Sequence, residues 1–315
     1  MNHNTPLAVI FPGQGSQEPG MGRDLAEASA DAMDLWKKAE RISGLPLRGI
    51  YWEGDDKAQA DTRNLQPALT VVNLALWGHV AGRVSPTCMA GHSLGEYSAL
   101  AAASALSVDA VIELVALRGR LMAEADPSGT GAMAAVLKLQ LADVEDVVRE
   151  AAQATGELLL VANYNTPGQF VISGTSAAVA DAATRVKERK GRALTLPVSG
   201  AFHSPLMNEA ARELTLALGK AAWSRPRFPV YCNVTGGPVT DGASLHDVMT
   251  RQMTSSVRWI DTITSQWNNG TRQWLEVGPK GVLSKMVKPI LAEAGAPEEG
   301  WSVHGVGNLE QAASL

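Results

Sequence analysis

The chain has 315 residues, 45% apolar and 19% charged, enough to bury a large core as one large domain or a domain carrying an insert, and it reads as a soluble globular protein. A net charge of -5, with no long basic run and no interleaving of aromatic and basic residues, argues against nucleic acid as the partner. The two cysteines, Cys88 and Cys232, support neither a disulfide framework nor a zinc site, no apolar run is long enough to span a membrane, and the start Met1-Asn2-His3-Asn4-Thr5-Pro6 lacks the features of a signal peptide, so we read the chain as cytoplasmic.

In chain order, Leu7-Ala8-Val9-Ile10-Phe11 predicts a buried parallel strand that runs into the loop Pro12-Gly13-Gln14-Gly15-Ser16-Gln17. Loops at the carboxyl ends of such strands are where open α/β sheets hold ligands. A helix is predicted over 23–43, then a less regular polar segment, then an apolar helix over 66–80. The short apolar run 87–90 predicts a strand, 94–106 a helix rich in alanine and leucine, and 108–125 another helix.

From residue 131 the rhythm changes to strand, helix, strand, strand, helix, strand, over 132–139, 142–154, 158–163, 169–173, 177–190 and 193–198. That is the ferredoxin-like pattern, and we take residues 130–198 as an inserted subdomain. Longer units then return: a helix over 205–221, a strand over 229–233, helices near 245–254 and 257–268, a strand over 273–277, a helix over 282–294 and a last strand over 301–306. These predict completion of the first sheet, so that 1–129 and 199–315 form one unit.

Gly91-His92-Ser93-Leu94-Gly95 places a serine between glycines at a strand-to-helix junction, the arrangement that exposes a nucleophilic hydroxyl at a helix N-terminus. A serine hydroxyl needs a base to take its proton. Among six histidines, His3 is terminal, His79 reads as a core residue of an apolar helix, His92 adjoins the serine, and His246 and His304 have weaker contexts. His203 lies in the loop Gly200-Ala201-Phe202-His203-Ser204-Pro205, where the insert ends and a helix begins. Loop placement alone suits a cleft residue and a helix-entry residue equally well.

Gly91-His92-Ser93-Leu94-Gly95-Glu96-Tyr97-Ser98, Pro12-Gly13-Gln14-Gly15-Ser16-Gln17 and Ala201-Phe202-His203-Ser204-Pro205-Leu206-Met207 resemble the malonyl-CoA:acyl carrier protein transacylases. Further matches are Gln66-Pro67-Ala68, Arg118-Gly119, residues 131–136, Asn165-Thr166-Pro167-Gly168-Gln169 and Glu276-Val277-Gly278-Pro279, so the likeness covers nearly the whole chain. It implies an α/β-hydrolase-like large subdomain with a central, mostly parallel sheet, a ferredoxin-like insert, and an active site between them.

The resemblance also implies roles. Ser93 takes the malonyl group as an ester, and His203 serves as general base and then acid. The oxyanion hole uses the main-chain amides of Gln14 and Leu94, and the main-chain carbonyl of Gln252 orients the histidine where other enzymes use a carboxylate. On its own, Gln252 reads as a helix-surface amide. Arg118 binds the free carboxylate of malonate, although from spacing alone Arg118 and Arg120 read as solvated cations near a helix C-terminus. Phe202 matches the malonyl-selective form of the histidine motif. Asn163 and Asn165 either hydrogen-bond the pantetheine arm or satisfy a turn, and for Asn163 we take the turn.

Arg185, Lys187, Arg189, Lys190 and Arg192 form a basic cluster on an acidic protein. It reads either as a solvated helix end or as a docking edge for an acidic carrier protein, with Lys187, Arg189 and Lys190 as the docking candidates. The expected donor and acceptor are thus malonyl-CoA and the phosphopantetheine of acyl carrier protein, with no metal, no bound cofactor, no membrane, and a monomeric chain. The competing readings are a polyketide or malonate-decarboxylase acyltransferase, a serine thioesterase or esterase, and a catalytically silent carrier-binding module.

Overall fold

All five residues of β1 (Leu7–Phe11) are buried, and they alternate between two cores: Leu7, Val9 and Phe11 enter one, Ala8 and Ile10 the other. A strand covered on both faces reads as a continuous apolar run, which is why it was legible. The computed structural model describes residues 5–315, so His3 and most of the start read for a signal peptide lie outside the described residues. The strands that follow are β2 (Pro86–Gly91), β3 (Gly131–Leu137), β4 (Leu159–Thr166), β5 (Gln169–Thr175), β6 (Arg192–Thr195), β7 (Val230–Tyr231), β8 (Pro238–Val239), β9 (Gln273–Val277) and β10 (Ser302–Val306).

The larger sheet has the order β10-β9-β1-β2-β7-β8, parallel throughout except for the β7–β8 pair. Helices Trp259–Asn268 and Ser284–Glu293 pack on the face of Ala8, Ile10 and Trp274, and helices Ala30–Ser43, Thr62–Val80 and Val108–Glu124 contribute to the core on the other. The smaller sheet has the order β4-β5-β3-β6 with every pair antiparallel. Its two helices, Leu141–Thr155 and Ser176–Glu188, cover one face and bury Val144, Val147, Val179 and Val186 against Ala134, Val136, Phe170 and Ile172. The alternate side chains Met133, Ala135, Ala162 and Val171 point the other way and join the core of the larger unit. The chain is therefore a mixed α/β protein in which one face of an antiparallel sheet closes over a mostly parallel one.

Several expected elements are corrected. The helix over 23–43 is two helices, Arg23–Ala28 and Ala30–Ser43, because Ser29 is extended and its hydroxyl caps the amide of Ala32. The polar segment before residue 66 contains helices Leu47–Glu53 and Asp56–Ala60 and the first turn of Thr62–Val80, with Asp55 and Asp61 as caps. The helix after the serine stops at Ala102, where Ser104 turns left-handed with φ 61°. Asn163 lies inside β4, bridged to Val257, and not in a turn. His79 is half-buried near a helix end and not in the core. The two-residue β8 and the helix Leu309–Ala313 went unanticipated, being too short to show a period.

Candidate active site

Ser93 stands between β2 and the helix Gly95–Ala102 with φ 50°, a left-handed conformation that few non-glycine residues adopt. Its neighbours must be small: a Cβ on Gly95 would lie 2.0 Å from the carbonyl oxygen of Phe11, and one on Gly13 would lie 2.4 Å from that of His92. These close approaches lay the loop after β1 directly on the serine turn. Leu94 is the N-cap of the following helix, where main-chain N–H groups lack intrahelical acceptors, and Gln14 lies on the loop facing it across the same cleft. Asn233 clamps the turn: its Oδ1 accepts from the Ser93 amide at 2.6 Å and its Nδ2 donates to the Gly91 carbonyl at 2.6 Å.

His203 also has left-handed backbone, φ 57°, and its side chain is buried. The loop is pinned by Ser204, whose hydroxyl donates to the Ala201 carbonyl at 2.6 Å and accepts from the Leu206 amide at 3.2 Å. His203 Nδ1 lies 3.0 Å from the Ser255 carbonyl and 3.2 Å from the Gln252 carbonyl. Carbonyl oxygens only accept, so Nδ1 carries the proton and Nε2 presents its lone pair to Ser93 Oγ, 2.7 Å away. Burial, followed by the charge of Arg118 and then His92, pushes the ring down to about 3, so the imidazole is neutral at physiological pH.

Arg118 comes from the helix Val108–Glu124 and is 1% exposed, which overturns the reading of a solvated cation that spacing alone favours. Arg120 fits that reading, exposed and paired with Glu124 and Glu213. The guanidinium donates from Nη1 to Gln66 Oε1 at 2.9 Å, and from Nη2 to Ser93 Oγ and Gln252 Oε1, both at 3.2 Å. Its Nε–H is buried without a hydrogen-bond partner among the described residues. Fully buried Glu96 lies nearby, and burial pushes its carboxyl up to about 7 against the lowering pull of its hydrogen-bond partners Gln252 and Asn233 and of the Arg118 charge.

Ser93, His203 and Arg118 line a cavity of about 260 Å³ between the loops of the larger sheet and the helix-free face of the smaller one, with Met133, Val171, Leu196 and Phe202 among its apolar walls. Asn163, Asn165 and Gln169 line it from the insert. Asn165 Oδ1 is 2.8 Å from His92 Nε2, a link from β4 to the serine turn.

A model of the acyl transferase domain matches residues 9–311. The chain belongs to the acyl transferase family. It is 39% identical over 292 residues to the malonyl CoA-acyl carrier protein transacylase of Haemophilus influenzae, covering 91% of this chain and 93% of that one. The Bacillus subtilis transacylase is 39% identical over 286 residues, 90% of each chain. Among solved structures, an acyl carrier protein S-malonyltransferase from Vibrio cholerae superposes with a TM-score of 0.90 at 36% identity over 98% of this chain and 99% of that one. A malonyl-transacylase in complex with a type II PKS acyl-carrier protein gives 0.91 at 35% identity over 98% of each chain.

Seen as an acyl transferase, the chain brings Ser93, His203, Arg118, Gln252, Gln14, Leu94, Phe202 and Asn165 to one cleft or its immediate wall. Gln252 was expected through its main chain alone, but its side chain also contacts Arg118 and Ser93. Asn233, Ser255, Gln66 and Glu96 are the contributors that sequence reasoning gave no role. Gln66 and Glu96 stood inside quoted motifs, and a polar residue in an otherwise apolar helix was the available signal. The acyl transferase's basic cluster is not uniform. Arg185 and Arg189 are tied to Glu150 in ion pairs, and Arg185 also to Asp181, whereas Lys187, Lys190 and Arg192 are exposed.

Proposed function

We propose that this acyl transferase moves a malonyl group from malonyl-CoA to the phosphopantetheine thiol of an acyl carrier protein, through an ester on Ser93, and so supplies fatty acid elongation. The observation that carries the reading is a buried arginine whose Nη2 lies 3.2 Å from the nucleophile. A simple esterase has no use for a desolvated cation there, whereas a malonyl group brings a second carboxylate to that spot. Nη1 carries two hydrogens and spends one on Gln66, which leaves the guanidinium with hydrogen-bonding capacity for that carboxylate.

In the first half-reaction Ser93 Oγ attacks the thioester carbonyl while its proton passes to His203 Nε2. The C–O bond forms, the C–S bond breaks, and the imidazolium returns the proton to the departing CoA sulfur. The Gln14 and Leu94 amides receive the oxyanion, a contribution of about 3 kcal/mol for one such donor. In the second half the pantetheine thiol gives its proton to the same nitrogen and attacks the ester; the C–S bond forms, the C–O bond breaks, and the imidazolium returns the proton to Ser93 Oγ. The Ser255 and Gln252 carbonyls hold the ring in the required tautomer and share the charge of the imidazolium. Because Arg118 is one cause of the low basicity of His203, pairing Arg118 with the malonyl carboxylate raises the base as the donor binds. Phe202, 4% exposed in the cleft wall, limits room beside the acyl chain.

The same reading takes residues 130–198 as an insert on a catalytic unit of 1–129 and 199–315, with Asn165 at the pantetheine channel and Lys187, Arg189 and Lys190 at the docking edge. It takes the enzyme as a cytoplasmic monomer. No helix among the described residues is long and apolar enough to cross a membrane. The likeness to a transacylase solved with a polyketide carrier supports a second reading, in which the acceptor belongs to that pathway. Intact-mass measurement after malonyl-CoA, and again after a holo carrier, tests the proposal. A malonyl adduct on Ser93 that disappears onto the carrier is expected, while free malonate without carrier loading would point to a hydrolase. Loading rates on fatty acid and polyketide carriers separate the two acceptors.

A further inference from the structure

Glu96 sits in the first turn of the helix that follows Ser93 and is 0% exposed. A carboxylate so placed is costly unless donors and a counter-charge surround it. Its Oε1 accepts from the Asn233 amide at 3.2 Å, and its Oε2 from Gln252 Nε2 at 3.0 Å. The Gln252 amide is then fully engaged: Nε2 also donates to the Ser93 carbonyl at 2.8 Å, and Oε1 accepts from Arg118 Nη2 at 3.2 Å. Turned over, this amide would set its oxygen against a carboxylate and a carbonyl, and its NH2 against a guanidinium. One orientation alone satisfies every neighbour.

Glu96 and Arg118 are therefore joined through an amide and not by a direct ion pair. A direct pair would occupy guanidinium hydrogens that an incoming carboxylate needs. The Gln252 amide oxygen engages one Nη2 hydrogen where a carboxylate could engage two, and so leaves more of the guanidinium available. We propose that Glu96 is the positioning residue for recognition of the acyl carboxylate: by fixing the Gln252 amide it aims Arg118 at the space beside Ser93 Oγ. This rests on the reading of Arg118 as the malonyl anchor.

The test compares kcat and KM for malonyl-CoA and acetyl-CoA, each with a holo carrier protein. In Glu96→Gln the malonyl-to-acetyl ratio of kcat/KM falls about tenfold, mainly through KM for malonyl-CoA, the scale of one hydrogen bond to a charged group. Gln252→Met keeps the main-chain carbonyl on His203 and removes only the amide, so it lowers the ratio to the same extent. The double variant lowers it no further, because both act through one link. Equal losses on both donors in Glu96→Gln would make Glu96 scaffolding for the serine turn and overturn the proposal. Should Glu96→Gln not fold, an unchanged ratio in Gln252→Met overturns it alone. Arg118→Ala separates the two levels. A ratio that survives there defeats the reading of Arg118, whereas a ratio lost there but kept in the other variants defeats the role of Glu96 alone.

Discussion

Ser93 Oγ and His203 Nε2 meet at 2.7 Å, and both residues are held in left-handed backbone, with φ 50° and 57°. Each such conformation costs a non-glycine residue about 1 kcal/mol or more, so the surroundings must enforce it. Asn233 and the close-packed loop after β1 do so at Ser93, and Ser204 does so at His203. Two of the six described non-glycine residues in left-handed backbone are the two that the proposed chemistry uses.

That strain predicts a stability difference between two inactive variants. Ser93→Gly should be more stable than Ser93→Ala by about 1 kcal/mol, because glycine accepts the left-handed region without penalty. Denaturant titration of both measures it. Equal stabilities would show that the turn stores no strain at this residue.

The neutral state of His203 predicts an unusual pH profile. An ordinary histidine base would lose activity as pH falls through about 6.5, whereas this ring is pushed down to about 3. With acetyl-CoA, which brings no carboxylate to Arg118, kcat/KM should show no acid limb near pH 6.5. The stability sign follows from the same shift. Between about pH 6.5 and 3 the unfolded chain binds a proton at this residue that the folded one does not, so its contribution to stability is lost as pH falls through that window. Initial rates and denaturant midpoints across this range check both statements, and an acid limb at pH 6.5 would contradict the first.

Arg118→Ala should remove selection for the carboxylated donor. Loss of a bidentate, charge-assisted contact predicts a fall of about 100-fold in the malonyl-to-acetyl ratio of kcat/KM. Competition between the two donors for a single carrier reads this ratio directly.

Reversing charge at Lys187 and Lys190 should slow the carrier half-reaction by about tenfold at low salt and spare acylation by malonyl-CoA, since exposed charges act mainly on encounter. Arg189→Ala should matter less for docking, because its guanidinium is already paired with Glu150. Stopped-flow rates for each half-reaction over a salt series decide this, and equal slowing of both halves would argue against a docking edge.

Much of the architecture was readable because it rests on local signals. The run in β1 was read with its observed bounds, Leu7–Phe11, because a strand buried on both faces leaves an unbroken apolar stretch. The insert was legible from six alternating short segments, and its strand order β4-β5-β3-β6 follows the ferredoxin-like pattern. The break at Ser29 was missed because both flanking segments are helical in composition, and a single capping hydroxyl outweighs propensity at one residue.

By itself, the sequence determined that a serine stands on a strand-to-helix turn, that a histidine loop closes the insert, and that the chain resembles one family over nearly its full length. Those features depend on neighbours within a few residues or on motifs in a set order. Only the tertiary structure decided that Arg118 is buried beside Ser93 and not solvated, that Ser255 shares the orientation of His203, and that Glu96, Gln252 and Asn233 join into one network. Asn233 reaches the Ser93 amide across 140 residues and Gln252 reaches Glu96 across 156. A hydrogen bond between such distant positions leaves no periodicity to read, because its geometry exists only after two sheets have packed and excluded water from the space between them.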